Sequence, residues 1–327
     1  MSKIILKAFL DQRECDDINK LQSVCQEFEP VSFKLEIEFK HSQIKPESVQ
    51  TVIELDDLGA DFEKAMGDVG QLKLYEYLFY EGGTLLGYIG ACDFGGVPDQ
   101  LEVNGLVHPE YRNRGIFKTL YACLNTWYAQ SAYKSMLLLC DRQSKYGQMM
   151  IQKIGAAYKH TEYEMYLDFD AFDKARAFLK NGSESLSYRT ANNADAKEIA
   201  RQNRIFFKEE FELDLEAEDN DEYLLPEKAQ EEGMTILMVE KDGESVGKTQ
   251  IQLFSEEGGI YGLGVLTKYR GLGYGRAILM KSVDCLIEKG ASSILLQVEA
   301  KNENALRLYQ SAGFKQTSTM DYFKSEN

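Results

Sequence analysis

The chain has 327 residues, 44% apolar and 28% charged, a length that suits two packed domains rather than one. A formal net charge of −16 argues against nucleic acid or an anionic membrane surface as the main partner, since both need a basic face. Cys15, Cys25, Cys92, Cys123, Cys140 and Cys285 form no close pair and only His41, His108 and His160 accompany them, so neither a metal site nor a disulfide framework is indicated.

The chain opens on a mildly apolar stretch, Met1 to Leu10, that is too short and too soon followed by charge to read as a signal peptide. No apolar run approaches the roughly 20 residues of a membrane span, so a cytoplasmic location is expected. Further on stands Val107-His108-Pro109-Glu110-Tyr111-Arg112-Asn113-Arg114-Gly115. A helical stripe follows in Phe117, Leu120, Tyr121, Leu124, Trp127 and Tyr128, and such a stripe reads as core. A helix over 171–185 runs out into Asn181-Gly182-Ser183-Glu184-Ser185, the best linker candidate. The expected domains are therefore 1–182 and 186–327.

The second half reads as a strand at 186–190, a helix at 194–207 and two alternating strands at 235–240 and 245–254. Lys241-Asp242-Gly243-Glu244 between these strands is a hairpin signal. A strand at 260–266 leads into Arg270-Gly271-Leu272-Gly273-Tyr274-Gly275, and a helix runs from 274 to about 289 with Leu279, Val283, Leu286 and Ile287 on one face. A buried strand at 293–298, a helix at 302–312 and a last strand to 324 complete the chain. Arg112 and Arg270 are offset by 270 − 112 = 158, and Gly155 and Gly313 by 313 − 155 = 158. Two landmarks with one offset indicate two copies of one α/β fold.

Glycines at 271, 273 and 275 allow unusual backbone angles and close approach of a ligand. The first amides of the following helix lack internal partners and carry the positive end of its dipole, so the turn suits an anion such as phosphate. Arg270 and Arg276 add charge. By itself the loop is equally a tight strand-to-helix connection, and it matches neither G-x-G-x-x-G nor the Walker pattern.

Combined with Asn302, Ala305, Leu308, Tyr309, Gly313 and Phe314, the loop resembles the GNAT superfamily of N-acetyltransferases in a tandem two-domain form. Arg270 to Gly275 matches that family's R-x-x-G-x-G/A loop. The resemblance implies two GNAT-like acyl-CoA N-acyltransferase domains, each a mixed sheet flanked by helices (α+β in arrangement). It implies acetyl-CoA as cosubstrate, gripped by Arg270, Gly271, Leu272, Gly273, Gly275 and Arg276. Its pantetheine arm would lie between splayed strands ending near Leu266 and Val298, against backbone groups of Leu263 and Val265. An amine would attack the thioester directly. Tyr309 matches the general acid, and Asn302 a residue that orders the cofactor or caps the helix. Tyr309 also fits a core aromatic, Asn302 a plain N-cap, and Arg276 a solvated helix residue.

The first copy departs from the pattern. Phe117 stands where Gly275 stands, Ile151 where Tyr309 stands and Ser144 where Asn302 stands; Tyr146 lies on another helix face. This copy is expected to be catalytically silent. The acidic run at 209–222 is either a solvated loop or a rim that attracts a cationic amine. The resemblance implies a small-molecule or peptide amine as acceptor, with no general base assigned. Oligomeric state is open. The alternative reading is a non-catalytic acyl-CoA sensor or scaffold.

Overall fold

The computed structural model describes residues 2–42, 52–55, 72–93, 99–177, 186–207 and 225–325. The expected linker at 181–185 and the acidic run at 209–222 lie outside them. Two compact units divide the chain: Met1–His160 with Thr319–Asn327, and Thr161–Ser318. This partition differs from the expected 1–182 and 186–327. The physical reason is strand exchange. The last strand of each sequence repeat hydrogen-bonds into the sheet built by the other repeat, and a covalent boundary read from composition cannot register that.

The first unit contains β1 (Ser2–Lys7), α1 (Gln12–Phe28), α2 (Ile37–Ser42), β2 (Val52–Leu55), β3 (Glu76–Glu81), β4 (Thr84–Cys92) and β5 (Gln100–Val107). It continues through α3 (Ile116–Tyr128), β6 (Ser135–Asp141), α4 (Lys145–Ile154) and the start of β7 (Ala157–Leu167). Its strands pair in the order β2-β1-β3-β4-β5-β6, and β6 then pairs with Met320–Lys324. All pairings are antiparallel except β5 with β6. Helix α1 begins in a capping box in which the Asp11 carboxylate accepts from the Glu14 amide and the Glu14 carboxylate from the Asp11 amide. It buries Ile18, Leu21 and Cys25 against Leu78, Tyr88 and Leu106. Helix α3 packs Leu120, Leu124 and Trp127 into a separate cluster with Leu6, Tyr77 and Ile89, so the expected stripe is core. The Trp127 indole donates to the Leu72 carbonyl at 2.8 Å, so its polar edge is satisfied.

The second unit takes the rest of β7, then α5 (Phe169–Ala177), β8 (Ser187–Thr190), α6 (Ala196–Phe207), α7 (Pro226–Glu231), β9 (Met234–Lys241) and β10 (Glu244–Phe254). It ends with β11 (Glu257–Val265), α8 (Tyr274–Glu288), β12 (Ser293–Glu299), α9 (Glu303–Ser311) and the start of β13 (Phe314–Lys324). The pairing order is β8-β9-β10-β11-β12, and β12 is completed by 162–166 of β7. Only β11 and β12 run parallel. The expected β9–β10 hairpin turns on Asp242 and Gly243, at φ +52° and +81°, as a two-residue turn requires. Strand β11 starts three residues before the expected 260, because Ser255 and Glu256 close a second hairpin. Its Gly258 would place a Cβ 3.0 Å from the Leu286 side chain of α8, so helix and strand pack there without a side chain between them. On α8, Ile278, Leu279, Val283 and Leu286 face the core, whereas Ile287, expected on that face, is 40% exposed. Its register places it just past the buried stripe. Among the described residues no helix is long and apolar enough to cross a membrane, and no group of His, Cys, Asp and Glu is arranged to hold a metal.

Candidate active site

The glycine loop of the second unit leaves β11, makes one 3-10 turn at Thr267–Tyr269 and enters α8 at Tyr274. Gly271 and Gly273 both adopt positive φ, +77° and +83°, so the chain reverses and leaves the first amides of α8 unbonded within the helix. Leu272 stands exposed at the tip. Arg270 is anchored rather than free: its Nε donates to the Val265 carbonyl at 3.0 Å, at the end of β11, while the side chain stays exposed. The turn is thus a cationic, amide-lined mouth at a helix N-terminus.

Pairing between β11 and β12 stops at Ile260 and Leu296, although β11 runs on to Val265 and β12 to Glu299. The strands part ahead of the loop. The facing backbone of 261–265 and 297–299 is the place where an extended, amide-containing ligand would find partners. Within this stretch β11 carries a β-bulge, since Lys248 and Gln250 of β10 pair with Gly264 and Tyr261, leaving two residues opposite one. Gly262, at φ +53°, is one of those two.

Helix α9 closes on the loop. A Cβ on Gly275 would lie 3.5 Å from Leu308 and 3.7 Å from Val265, so the second motif packs directly against the first. Tyr309, next to Leu308, is buried in the cluster that includes Leu296 and Val298, with its ring edge-on to Phe314 at 6.2 Å. Asn302 is the N-cap of α9, its Oδ1 accepting from the Ala305 amide at 3.1 Å. Arg276 points elsewhere than to the mouth. Its Nη2 donates to the carbonyls of Ser311 at 3.2 Å and Ala175 at 3.5 Å, in the last turns of α9 and α5. The negative ends of two helices account for this side chain. The expected phosphate contact of Arg276 is therefore not where its guanidinium lies.

The first unit repeats this backbone closely. Its 3-10 turn is Pro109–Tyr111, Asn113 and Gly115 take φ +62° and +86°, and Arg112 Nε donates to the Val107 carbonyl at 3.2 Å. The side chains differ. Phe117 lies against Gly105 on the parted stretch of β5, where an added Cβ would come 2.9 Å from its ring. The ring thus covers Gly105, whereas Gly275 brings no side chain to the matching position of the second unit. The Arg112 guanidinium sits 4.2 Å from the Tyr146 ring centroid and 5.2 Å from that of Phe28, and its side chain is 13% exposed. Tyr146, set aside as lying on another helix face, thus holds the loop arginine. Ser144 caps α4 as Asn302 caps α9, accepting from the Gly147 amide at 3.1 Å. Strand β5 has no bulge: its register with β4 runs unbroken from Gly87↔Val107 to Cys92↔Glu102. The extra residue shows in the repeat itself. The offset between copies is 257 − 100 = 157 where β5 and β11 begin and 265 − 107 = 158 where they end.

One buried group escaped the sequence reading. Lys248, in the middle of β10, is fully buried, and desolvation lowers its amine from 10.5 to about 7. Its Nζ donates to the Gly262 carbonyl at 3.1 Å. A lone lysine in an alternating strand reads as solvent-facing, and nothing local to Gly247-Lys248-Thr249 announces that α6 covers that face.

The sequence profile of the Acetyltransferase (GNAT) family matches residues 200–314. The chain is 25% identical over 230 residues to a mycothiol acetyltransferase of Paenarthrobacter aurescens, a match covering 65% of this chain and 66% of that protein, or about two thirds of its length. It is 26% identical over 163 residues to an N-alpha-acetyltransferase of Sulfurisphaera tokodaii, across 46% of this chain and 92% of that one. Among solved structures, a tandem GNAT protein from the clavulanic acid biosynthesis pathway aligns over 100% of this chain and 98% of its own with a TM-score of 0.67 at 14% identity. A GCN5-related N-acetyltransferase from Sphaerobacter thermophilus aligns over 98% and 95% with a TM-score of 0.63 at 18% identity. At such identities these two likenesses speak for the fold alone.

Proposed function

We propose, from the match of residues 200–314 to the Acetyltransferase (GNAT) family, that the second unit binds acetyl-CoA and passes its acetyl group directly to an amine. The observation that carries this reading is the junction at Gly275. There the parted β11–β12 stretch, the helix-terminal amides and the Tyr309-bearing helix meet without an intervening side chain. The residues present fit the cosubstrate. The loop amides of Gly271 to Gly275, with Arg270, suit its diphosphate. The open backbone from Tyr261 to Val265 suits the two amides of its pantetheine arm. Asn302 caps α9 through Oδ1, so its Nδ2 is not used by the cap.

The chemistry is a direct displacement. The neutral amine adds to the thioester carbonyl carbon, the new C–N bond forms, and charge on the carbonyl oxygen is steadied by a backbone N–H near Val265. The C–S bond breaks, and the leaving thiolate takes the Tyr309 phenol proton; the proton shed by the acceptor nitrogen passes to water, from which Tyr309 is reprotonated. A phenolic O–H can serve as that donor. The first unit, with Phe117 covering Gly105 and its arginine held by Tyr146, contributes no second site in this reading.

The acceptor follows from the relatives' names only as a starting panel: the acceptor of the mycothiol enzymes, a peptide α-amine, and cationic polyamines, aminoglycosides and lysine side chains. Purified protein with acetyl-CoA and this panel should release free thiol, measured with a thiol-reactive dye. Coenzyme A binding by calorimetry without turnover on any amine would select the sensor reading instead. Absence of both would reject an intact acyl-CoA site.

A further inference from the structure

A fully buried lysine ordinarily has a carboxylate beside it, because an isolated charge is costly to desolvate. Lys248 has none among the described residues. Directly across from it stand Gly264 of β11 and Met238 of β9, and α6 lays the Phe206 ring 6.0 Å away. Gln250, two residues along the same strand, brings its amide to the same point: a Cβ on Gly262 would lie 2.7 Å from Gln250 Oε1 and 3.0 Å from Lys248 Nζ. No charged group faces the amine from β9, β10, β11 or the described part of α6. Its polar partner is the Gly262 carbonyl oxygen.

That carbonyl belongs to the bulge. A bulged peptide has lost its regular ladder partners, so its orientation must be fixed by something else. Among the described residues no peptide is cis, and a trans peptide points its C=O and N–H in opposite directions. Holding the Gly262 carbonyl toward Lys248 therefore turns the Leu263 N–H away from Lys248. The first unit supplies the contrast. Gly87 and Gly247 pair with Val107 and Val265 in the two copies, so the next residues, Tyr88 and Lys248, correspond. Where the copy has tyrosine it has no bulge; where it has lysine it has one.

We propose that Lys248 is a positioning residue for the acyl donor: its hydrogen bond to Gly262 sets the bulged peptide so that the Leu263 N–H is presented to the pantetheine arm. This rests on the acetyl-CoA reading of the site. The lysine touches neither donor nor acceptor and acts through one peptide plane. Its effect is confined to the arm, because the diphosphate is gripped on the far side of Val265.

The test is calorimetric titration of wild type and Lys248→Met with two probes, coenzyme A and adenosine 3′,5′-bisphosphate, which keeps nucleotide phosphates and lacks the arm. The variant should bind coenzyme A about tenfold more weakly, the factor that a single hydrogen bond carries, and the bisphosphate unchanged. Lys248→Gln, which keeps a neutral donor one atom shorter, should fall between. Unchanged coenzyme A affinity in Lys248→Met would overturn the proposal. So would an equal loss for both probes, since that is general damage to the unit. Wild type binding neither probe would defeat the acetyl-CoA reading itself, and the role of Lys248 with it, before any variant is compared.

Discussion

Replacing Lys248 by methionine should make the protein more stable, and by an amount that depends on pH. The amine lies at about 7 in the folded chain against 10.5 for an unperturbed lysine, with desolvation as the cause. Between those values the unfolded chain carries a proton that the folded chain does not, so wild-type stability rises with pH through the window from about 7 to 10.5. The penalty is complete below pH 7 and gone above 10.5. At 1.36 kcal/mol per pH unit, a difference of about 3.5 units amounts to on the order of 5 kcal/mol at pH 6, falling to roughly 2 kcal/mol at pH 9. Methionine fills a similar volume without a charge to desolvate, and forfeits one hydrogen bond of about 1 kcal/mol. Trp127 lies in the first unit, so a probe within the second is needed. The assay is therefore urea denaturation at pH 6, 7.5 and 9, read by pulsed hydrogen labelling of the β10–β11 peptides. Taking wild type minus variant at each pH cancels the other titrating groups. A variant less stable than wild type at pH 6, or a difference flat across the three values, would refute the argument that burial alone sets this amine.

Other outcomes follow from the same geometry. Gly275→Phe, which copies the first unit, should abolish coenzyme A binding by calorimetry while circular dichroism remains that of wild type. Titration of the wild type should give one coenzyme A per chain, because Phe117 covers Gly105 in the first unit; a second equivalent would show the first unit to be competent. Tyr309→Phe should lower kcat about a hundredfold or more with little change in the KM for acetyl-CoA, as expected for loss of a general acid; wild-type turnover would remove Tyr309 from that role. Asn302→Ala should cost about 1 kcal/mol of stability through loss of the α9 cap, measured by chemical denaturation.

The duplication, the order of elements and the loop were legible in the chain because they rest on local rules. Glycines at 271 and 273 mark a positive-φ reversal, apolar spacing at 279, 283 and 286 marks a helix face, and a repeat offset marks two copies. The discrimination between copies was also local, since Phe117 against Gly275 is a difference in side-chain volume at one position. Arg276 was less legible. Its position in the motif put it beside phosphate, but the helix ends that attract it, α5 and α9, come from 101 residues before and 35 after.

What the sequence by itself determined is therefore the fold class, the glycine turn and the difference between the two copies at Phe117 and Gly275, all properties of short stretches and their spacing. What only the tertiary structure decided is which chain segments complete each sheet, where Tyr146 and Arg276 act, and that Lys248 is buried beside a bulge. Strand exchange pairs residues more than a hundred positions apart, and burial depends on which element covers a face. Neither is written in the periodicity of the strand concerned, and so a lysine that alternation assigns to solvent came to lie under α6 with a backbone carbonyl for its partner.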